Sequence, residues 1–221
     1  MPFLNPRLPM PNYHHHTFDG GGIAIWHIIE SASELYALLD THAYDARLAT
    51  ITHEGRRAEW LAVRLLVAQV LGRDKVVAYH PTGRPYLTDG SYQISISHTR
   101  GYAAIAYHPI ARVGLDIEYR SPRVERIAHR FTHPSEATYL EAALANQRPI
   151  QQLVNWSAKE TLYKLFDTPS AADFQNAFAI ASYPLAEQGV LEASIYLPVE
   201  TRCNVHYAFH PDFVCTWALL F

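Results

Sequence analysis

Residues 113–118 of the chain read Val-Gly-Leu-Asp-Ile-Glu. Successive side chains of a β-strand point to opposite faces, so Asp116 and Glu118 would share one face and the apolar residues the other. Two neighbouring carboxylates repel each other unless a proton or a cation intervenes, and oxygen ligands favour Mg²⁺ over zinc. The pattern therefore predicts a strand that carries either a divalent-cation site or a polar stripe that faces solvent.

Turn residues divide the rest of the chain into short strands and several helices. Before this strand, we predict helices from Ser31 or Ser33 to 39, over 44–49 and over 54–71, and strands over 23–29, 76–79, 92–97 and 102–107. After it, we predict helices over 124–129, 135–145 and 149–166, and strands over 177–181, 191–197, 204–210 and 213–220. Helices precede a small antiparallel sheet twice, so we expect a pseudo-duplicated α+β fold with halves 23–121 and 122–221 and the active site at their seam.

Composition narrows the possible classes of protein. The chain has 221 residues, a net charge of −3 and two cysteines, Cys203 and Cys215, which excludes a disulfide scaffold and a four-thiolate zinc site. A mildly acidic balance argues against nucleic-acid binding, and no apolar run approaches the roughly 18 residues that a membrane span needs. Residues 1–22 contain four prolines and three glycines and no secretory signal, so we expect a flexible N-terminal arm and a cytoplasmic protein. His14 to His16 in this arm are either solvated or an adventitious metal site.

Residues 156–164 read Trp-Ser-Ala-Lys-Glu-Thr-Leu-Tyr-Lys on the predicted helix 149–166. Residues four apart lie on the same helix face, which groups Glu160 with Lys164. The two are either an ordinary surface ion pair or part of a site. In the second case Glu160 is a third carboxylate for the same metal, while Lys159 and Lys164 bind phosphates.

Residues 94–99 read Ile-Ser-Ile-Ser-His-Thr, and His98 stands at the end of the predicted strand. Ser97 and His98 are adjacent and point to opposite faces, so they do not form a nucleophile–base pair. His98 is either a phosphate-binding donor or a structural histidine.

These three segments, in this order and at this separation, resemble the 4′-phosphopantetheinyl transferase superfamily. The resemblance is to its longer, pseudo-dimeric branch of surfactin-synthetase and enterobactin-type activators, and it runs from about Ile23 to the C-terminus. Further matches are residues 56–64 (Arg-Arg-Ala-Glu-Trp-Leu-Ala-Val-Arg), residues 83–86 (Gly-Arg-Pro-Tyr), Arg130-Phe131 and Ser135-Glu136. Arg84 stands where the family usually has lysine, which keeps the positive charge.

The resemblance implies a Mg²⁺-dependent enzyme that moves the 4′-phosphopantetheine arm of coenzyme A to a serine of an acyl or peptidyl carrier protein and releases 3′,5′-ADP. Asp116, Glu118 and Glu160 would bind the metal. Lys164 would face the pyrophosphate and protonate the leaving phosphate, and the serine would lose its proton to Glu160, to a metal-bound water or to Glu136. The expected coenzyme A contacts are Arg57, Arg64, Arg84, Pro85, His98, Lys159 and Lys164. For the two arginines at 57 and 64, a solvated helix face is the alternative.

An arginine cluster follows the carboxylate strand, at Arg120, Arg123, Arg126 and Arg130. Because most carrier proteins of this family present an acidic helix, the resemblance implies docking here, with Ile127 and Phe131 as its apolar part. A salt-bridged surface helix is the alternative. We expect a monomer that serves fatty acid or secondary metabolite biosynthesis. Two other functions stay open: a non-catalytic coenzyme A-binding module and a Mg²⁺-dependent nucleotide pyrophosphohydrolase.

Overall fold

A computed structural model describes residues 13–18, 20–39, 42–168, 173–197 and 199–221. The strands are β1 (Tyr13–Phe18), β2 (Gly21–His27), β3 (Val77–Tyr79), β4 (Pro85–Leu87), β5 (Gln93–Thr99), β6 (Tyr102–His108), β7 (Arg112–Tyr119), β8 (Phe178–Ile180), β9 (Gln188–Ile195), β10 (Thr201–Phe209) and β11 (Phe213–Leu220). The helices are α1 (Ala32–Leu38), α2 (Asp45–Leu48), α3 (Glu54–Val70), α4 (Arg123–Ile127), α5 (Pro134–Ala142), α6 (Arg148–Leu165) and α7 (Phe174–Ala177), and a 3₁₀ turn spans Ala128–Arg130. The predicted α+β class is confirmed.

The strands form two larger sheets and one short ribbon, all antiparallel. The first sheet has the order β1-β2-β6-β5, the second has the order β7-β11-β10-β9-β8, and β3 pairs with β4. The long helix α3 covers the first sheet and α6 covers the second, each over its own apolar cluster. A third cluster, which includes Ile23, Ala104, Leu115 and Phe213, joins residues of both sheets. The two halves therefore share a core.

The predicted boundary at residue 121 differs from the boundary between the sheets. β7, which the prediction placed in the first half, is hydrogen bonded to β11 of the second sheet, and Asp116 lies opposite Thr216. The chain therefore passes from the first sheet to the second at residues 109–111, between β6 and β7, and the division into halves at residue 121 stays a prediction. Local sequence cannot reveal this, because a strand of suitable pattern can pair with either neighbour and the choice depends on long-range packing.

β5 and β7 lie side by side and are joined through side chains. Alternate hydroxyl oxygens of β5 accept hydrogen bonds from backbone N–H groups of β7: Ser95 from Leu115 at 3.0 Å, Ser97 from Ile117 at 3.2 Å and Thr99 from Tyr119 at 3.2 Å. The three hydroxyl groups are two residues apart and point to the same side, because alternate side chains of a strand share a face. The alternating serines of residues 94–99 thus hold the seam between the sheets.

The expectation of a flexible arm over residues 1–22 is wrong for its last part. Residues 13–18 form β1, the edge strand of the first sheet, and His14, His15 and His16 pair with residues 25, 24 and 23 of β2. The His15 ring also hydrogen bonds the Tyr107 hydroxyl at 2.8 Å. Pairing satisfies backbone groups of β2 that would otherwise need another partner, which outweighs the unfavourable composition. Residues 1–12 and 19 lie outside the described residues.

No helix in the described part of the chain is long and apolar enough to cross a membrane.

Candidate active site

Asp116 lies at the centre of β7 and is 4% exposed. Its Oδ1 accepts hydrogen bonds from Lys164 Nζ at 2.7 Å and from Ser97 Oγ at 3.0 Å, and its Oδ2 accepts one from Ser157 Oγ at 2.8 Å. These donors come from β5 and α6, so both halves of the chain contribute. The alternative of a solvent-facing carboxylate is wrong for this residue.

Gly114 permits this arrangement by letting α6 approach β7 closely. A Cβ atom at this position would lie 2.4 Å from the Thr161 carbonyl oxygen and 2.9 Å from Leu165 Cβ, both on α6. Any larger residue would push the helix away. The glycine of residues 113–118 therefore brings the α6 side chains within reach of Asp116.

Lys164 serves as the counter-ion of Asp116 in this structure. Its three N–H groups are directed to Asp116 Oδ1, to Ser97 Oγ at 3.1 Å and to the Leu115 carbonyl oxygen at 3.0 Å. The surface ion pair with Glu160, the alternative left open by the sequence, does not occur. The lysine side chain is one-quarter exposed and lies on the wall of a cavity.

Glu118 and Glu160 belong to the same electrostatic group as Asp116. Burial raises the pKa of Glu118, repulsion by Asp116 adds to this, and a hydrogen bond of 2.8 Å from Trp156 Nε1 to Glu118 Oε1 opposes it. Burial raises the pKa of Glu160 to about 7, with further repulsion from Asp116 and Glu118 and opposition from Lys164. The three predicted metal ligands are thus mutually repelling carboxylates around one lysine.

This donor set fits Mg²⁺ by its chemistry. If all three carboxylates were ionised, the one lysine would leave two negative charges for a divalent cation to neutralise, and all the donors are oxygens. In the arrangement seen here, no three His, Cys, Asp or Glu side chains of the described ranges converge closely enough to hold a metal ion.

Next to Lys164 lies a cavity of about 530 Å³ between α3, the turn before β4 and the end of β5. This volume is in the range of small-molecule sites. Its basic lining residues are Arg47, Arg56, Arg64, Arg84, His98 and Lys164. Only two carboxylates, Glu59 and Asp167, are among its lining residues, so the cavity has a net positive charge suited to an anionic ligand.

Arg64 is held in the wall of this cavity and is 3% exposed. Its guanidinium group lies 3.5 Å from the centroid of the Trp60 ring, and it donates hydrogen bonds to the Tyr79 hydroxyl at 3.0 Å and to the Trp60 carbonyl at 3.2 Å. Burial lowers its pKa, and its Nε is buried without a hydrogen-bond partner in the described structure. A buried cation with an unused donor is a favourable contact for a phosphate.

His98 and Arg84 occupy the other walls of the cavity. Burial lowers the pKa of His98, and its ring lies within 3.5 Å of both Arg56 and Glu59. Arg84 donates to Gln93 Oε1 at 2.9 Å and follows Gly83, whose φ of +89° explains the glycine in this turn. Pro85, also predicted, lines the same cavity. The structure therefore brings together five of the seven predicted coenzyme A contacts: Arg64, Arg84, Pro85, His98 and Lys164.

The carboxylates and Lys164 lie in a region that is similar to a known protein family. Residues 112–218, from the start of β7 into β11, match the family model of the 4′-phosphopantetheinyl transferase superfamily. The chain is therefore similar to this superfamily over almost half of its length. The matched region contains Asp116, Glu118, Glu160 and Lys164.

Two relatives agree with this similarity. The 4′-phosphopantetheinyl transferase AcpT of Salmonella typhimurium strain LT2 is 31% identical over 127 residues, which cover 54% of this chain and 64% of the relative. The protein of the same name from Salmonella typhi is 30% identical over 127 residues, with the same coverage. The chain thus covers less than two thirds of the length of the curated relatives it matches.

Arg57, a predicted coenzyme A contact, does not line the cavity next to Lys164, whereas its neighbour Arg56 does. The cavity-lining residues of α3 are Arg56, Glu59, Trp60, Val63 and Arg64, which follow the spacing of a single helix face. Arg57 is one position out of this stripe and therefore points about 100° away. The stripe itself is the signal that would have selected Arg56. Arg47 on α2 was also missed, because the resemblance before residue 54 is vague.

Lys159 and Glu136, predicted as a phosphate contact and a general base, are not among the residues that line the cavity. Their side chains are fully buried and form an ion pair of 2.9 Å. Lys159 also donates to the Phe131 carbonyl, and Glu136 accepts from the Ile180 backbone N–H at 2.7 Å. Lys159 points away from the site because it is one helix position before Glu160. The pair joins α5, α6 and β8 and cannot reach a ligand in the cavity.

The predicted docking cluster is divided between two faces. Arg123 and Arg126 line a second cavity, of about 600 Å³, together with Glu118 and with Arg100 from the β5–β6 turn. Arg120 lines a different groove and lies 5.9 Å from the centroid of the Phe209 ring. Arg130 is exposed on the 3₁₀ turn and Ile127 is half-buried.

Phe131, the second apolar residue predicted for docking, is fully buried in the core beneath α6 and cannot meet a partner. Arg100, which lines the second cavity with Arg123 and Arg126, is distant in sequence from the arginine cluster.

Proposed function

We propose that this protein transfers the 4′-phosphopantetheine arm of coenzyme A to a serine of an acyl or peptidyl carrier protein, with Mg²⁺, and releases 3′,5′-ADP. The observation that carries the proposal is the Asp116–Lys164 pair at the seam of two sheets, beside a cationic cavity. The superfamily match over the same residues and the names of the two relatives support it.

Coenzyme A carries a diphosphate and a 3′-phosphate, and the cavity offers cations for both. We place the adenosine 3′-phosphate against Arg56, Arg64 and Arg84, because a guanidinium group can bind a phosphate with two parallel hydrogen bonds. His98 would donate to the diphosphate on the nucleotide side. Lys164 would supply positive charge on the pantetheine side, where it lines the same cavity.

Asp116, Glu118 and Glu160 would hold Mg²⁺, which when bound would neutralise charge on the transferred phosphoryl group and orient it for attack. The serine oxygen of the carrier bonds to phosphorus as the bond to 3′,5′-ADP breaks. Glu160, part-exposed on α6, or a water molecule takes the serine proton. Lys164 is the candidate donor to the leaving phosphate, at the expense of one of its three hydrogen bonds.

The second cavity is the proposed entry for the carrier protein. Its lining includes Arg100, Arg123 and Arg126, which form no ion pair with any described residue. Glu118 also lines this cavity and connects it to the other two predicted metal ligands, Asp116 and Glu160. An acidic helix of the carrier would neutralise these arginines and bring its serine toward the metal ligands. Arg120 lies outside this surface.

We further propose that the two halves are duplicates of one unit, as in the longer branch of the superfamily. The strand order β2-β6-β5 of the first sheet has the same topology as β7-β11-β10 of the second, and a long helix follows the first strand of each. A chain that contains both halves completes the site by itself, so we expect a monomer.

The test is to incubate the protein with coenzyme A, Mg²⁺ and an apo carrier protein and to measure the mass of the carrier. Carriers of fatty acid, polyketide, peptide and siderophore synthesis should be compared, and Asp116→Ala is the negative control. A carrier heavier by one phosphopantetheine supports the proposal. Coenzyme A binding without transfer to any carrier would indicate a binding module, and release of 3′,5′-ADP without a carrier would indicate a pyrophosphohydrolase.

A further inference from the structure

Behind Asp116, three buried hydroxyl groups form a continuous line. Ser157 Oγ lies 2.8 Å from Asp116 Oδ2, Thr216 Oγ1 lies 2.9 Å from Ser157 Oγ, and Thr161 Oγ1 lies 2.7 Å from Thr216 Oγ1. All three residues have no exposed surface. Ser157 and Thr161 are one turn apart on α6, and Thr216 is opposite Asp116 in the β7–β11 ladder.

The donors in this line can be assigned from the count of hydrogens. An ionised carboxylate only accepts, and each hydroxyl has one hydrogen, so Ser157 must donate to Asp116. The Ser157 oxygen then accepts from Thr216, and the Thr216 oxygen accepts from Thr161, whose hydroxyl also lies 3.1 Å from the Thr216 carbonyl oxygen. All the dipoles therefore point toward Asp116, and hydrogen bonds aligned in this way strengthen one another.

Ser97 restrains the other carboxylate oxygen from the first sheet. It donates its one hydrogen to Asp116 Oδ1 and accepts from Lys164 Nζ and from the Ile117 backbone N–H, which uses both of its lone pairs. Oδ1 of Asp116 thus has two donors and Oδ2 has one. Of the four acceptor positions of the carboxylate, one on Oδ2 receives no hydrogen bond from the described residues.

We propose that Thr161, Thr216 and Ser157 are positioning residues that form a hydroxyl chain, in which each hydroxyl group donates toward Asp116. This hydroxyl chain holds the Asp116 carboxylate in a single orientation, with one acceptor position open for a cation. None of the three touches the cavity, so they act only through Asp116. The proposal rests on the proposed function in so far as Asp116 is the metal ligand of that reaction. Rotation of the carboxylate would leave buried hydroxyl groups without partners, which is costly.

The hydroxyl chain is tested with Thr216→Val, which removes the hydroxyl group at nearly constant side-chain shape, and with Ser157→Ala. Two quantities are measured: the affinity for Mg²⁺ alone, by calorimetric titration, and kcat and KM for transfer. We expect each variant to lose about 10-fold in Mg²⁺ affinity and in kcat, with KM for coenzyme A within about twofold, as for other groups that orient metal ligands. Thr201→Val is the matched control, because Thr201 lies on β10 and is not part of the hydroxyl chain. This variant should behave as the wild type.

The double variant Ser157→Ala/Thr216→Val distinguishes a serial chain from two independent structural effects. Thr216 reaches Asp116 only through Ser157, so the double variant should be no worse than Ser157→Ala alone. Additive losses, or wild-type Mg²⁺ affinity and kcat in both single variants, would overturn the proposal.

Thr216→Ser keeps the hydroxyl and should retain Mg²⁺ affinity and kcat. If Thr216→Val does not fold, the comparison of Thr216→Ser with Thr216→Ala gives the same test, and equal values for these two would contradict the chain. If the wild type modifies no carrier, the proposed function fails. The Mg²⁺ titrations still show whether the hydroxyl chain positions Asp116.

Discussion

Lys159 and Lys164 are five positions apart on α6 and have opposite environments. Lys164 reaches the seam and pairs with Asp116 at the edge of the cavity, whereas Lys159 is enclosed with Glu136 in the core. Each residue of a helix is rotated by about 100° from the one before, so a motif can contain one lysine for the site and one for the fold. At this scale, side-chain direction decides which residues of a motif perform chemistry.

Replacement of Lys159 should affect stability and leave coenzyme A binding intact. Lys159→Met leaves Glu136 as an unpaired buried charge, so we expect a loss of about 3–5 kcal/mol in the free energy of unfolding, measured with urea. Lys159→Met/Glu136→Gln should recover most of this loss, because the amide oxygen still accepts from the Ile180 N–H. A large rise in KM for coenzyme A in the double variant would contradict the structural role.

Arg56 and Arg57 provide a matched pair for testing whether the cavity next to Lys164 binds coenzyme A. Arg56→Ala should weaken coenzyme A binding about 10-fold, since a hydrogen bond to a charged group contributes about 1.5–3 kcal/mol. Arg57→Ala removes the same charge beside the cavity and should change the affinity by less than about twofold. Calorimetric titration with coenzyme A measures both, and equal losses would mean that only net charge matters.

At the scale of elements, the site depends on the approach of β5, β7 and α6. Hydroxyl groups of β5 receive the N–H groups of β7, and Gly114 allows α6 to lie directly on β7. The alternating serines and the glycine were visible in the sequence as parts of motifs. Their structural purpose became visible only when the neighbouring elements were in place.

Gly114→Ala should separate α6 from β7 and disturb Asp116 two positions away. The added Cβ meets backbone rather than a flexible side chain, so we expect a loss of about 1–3 kcal/mol in unfolding free energy and a marked fall in kcat. Gly55→Ala, in the first turn of α3, is the control. Its Cβ would be no closer than 3.3 Å to the His53 side chain, and stability should be unchanged or slightly higher. Wild-type kcat in Gly114→Ala would show that the close approach is unnecessary.

At the scale of the whole molecule, a net charge of −3 conceals separate surfaces of opposite sign. Carboxylates gather at the seam, cations line the cavity next to it, and Arg100, Arg123 and Arg126 line the second cavity. Arg100 lies between β5 and β6 of the first sheet, whereas Arg123 and Arg126 come after β7 of the second sheet.

Arg126→Glu should raise KM for an acidic carrier protein about 10-fold and make it less sensitive to salt, because long-range attraction is screened by ions. KM for coenzyme A should stay within about twofold. Arg120→Glu is the matched control: it changes the net charge equally but lines another groove, so the carrier KM should change little. Equal effects of the two variants would argue against a docking surface confined to the second cavity.

The sequence by itself determined most of the helices and strands, the α+β class and the resemblance to the superfamily, because these depend on local periodicity and on the spacing of short motifs. It also placed Asp116, Lys164, Arg64, Arg84 and His98 together through that resemblance. Only the tertiary structure decided that β7 belongs to the second sheet, that β1 is a strand, that Arg56 replaces Arg57 in the cavity and that Glu136 and Lys159 are structural. The physical reason is that these features depend on contacts between residues far apart in the chain, whose energies no local pattern records.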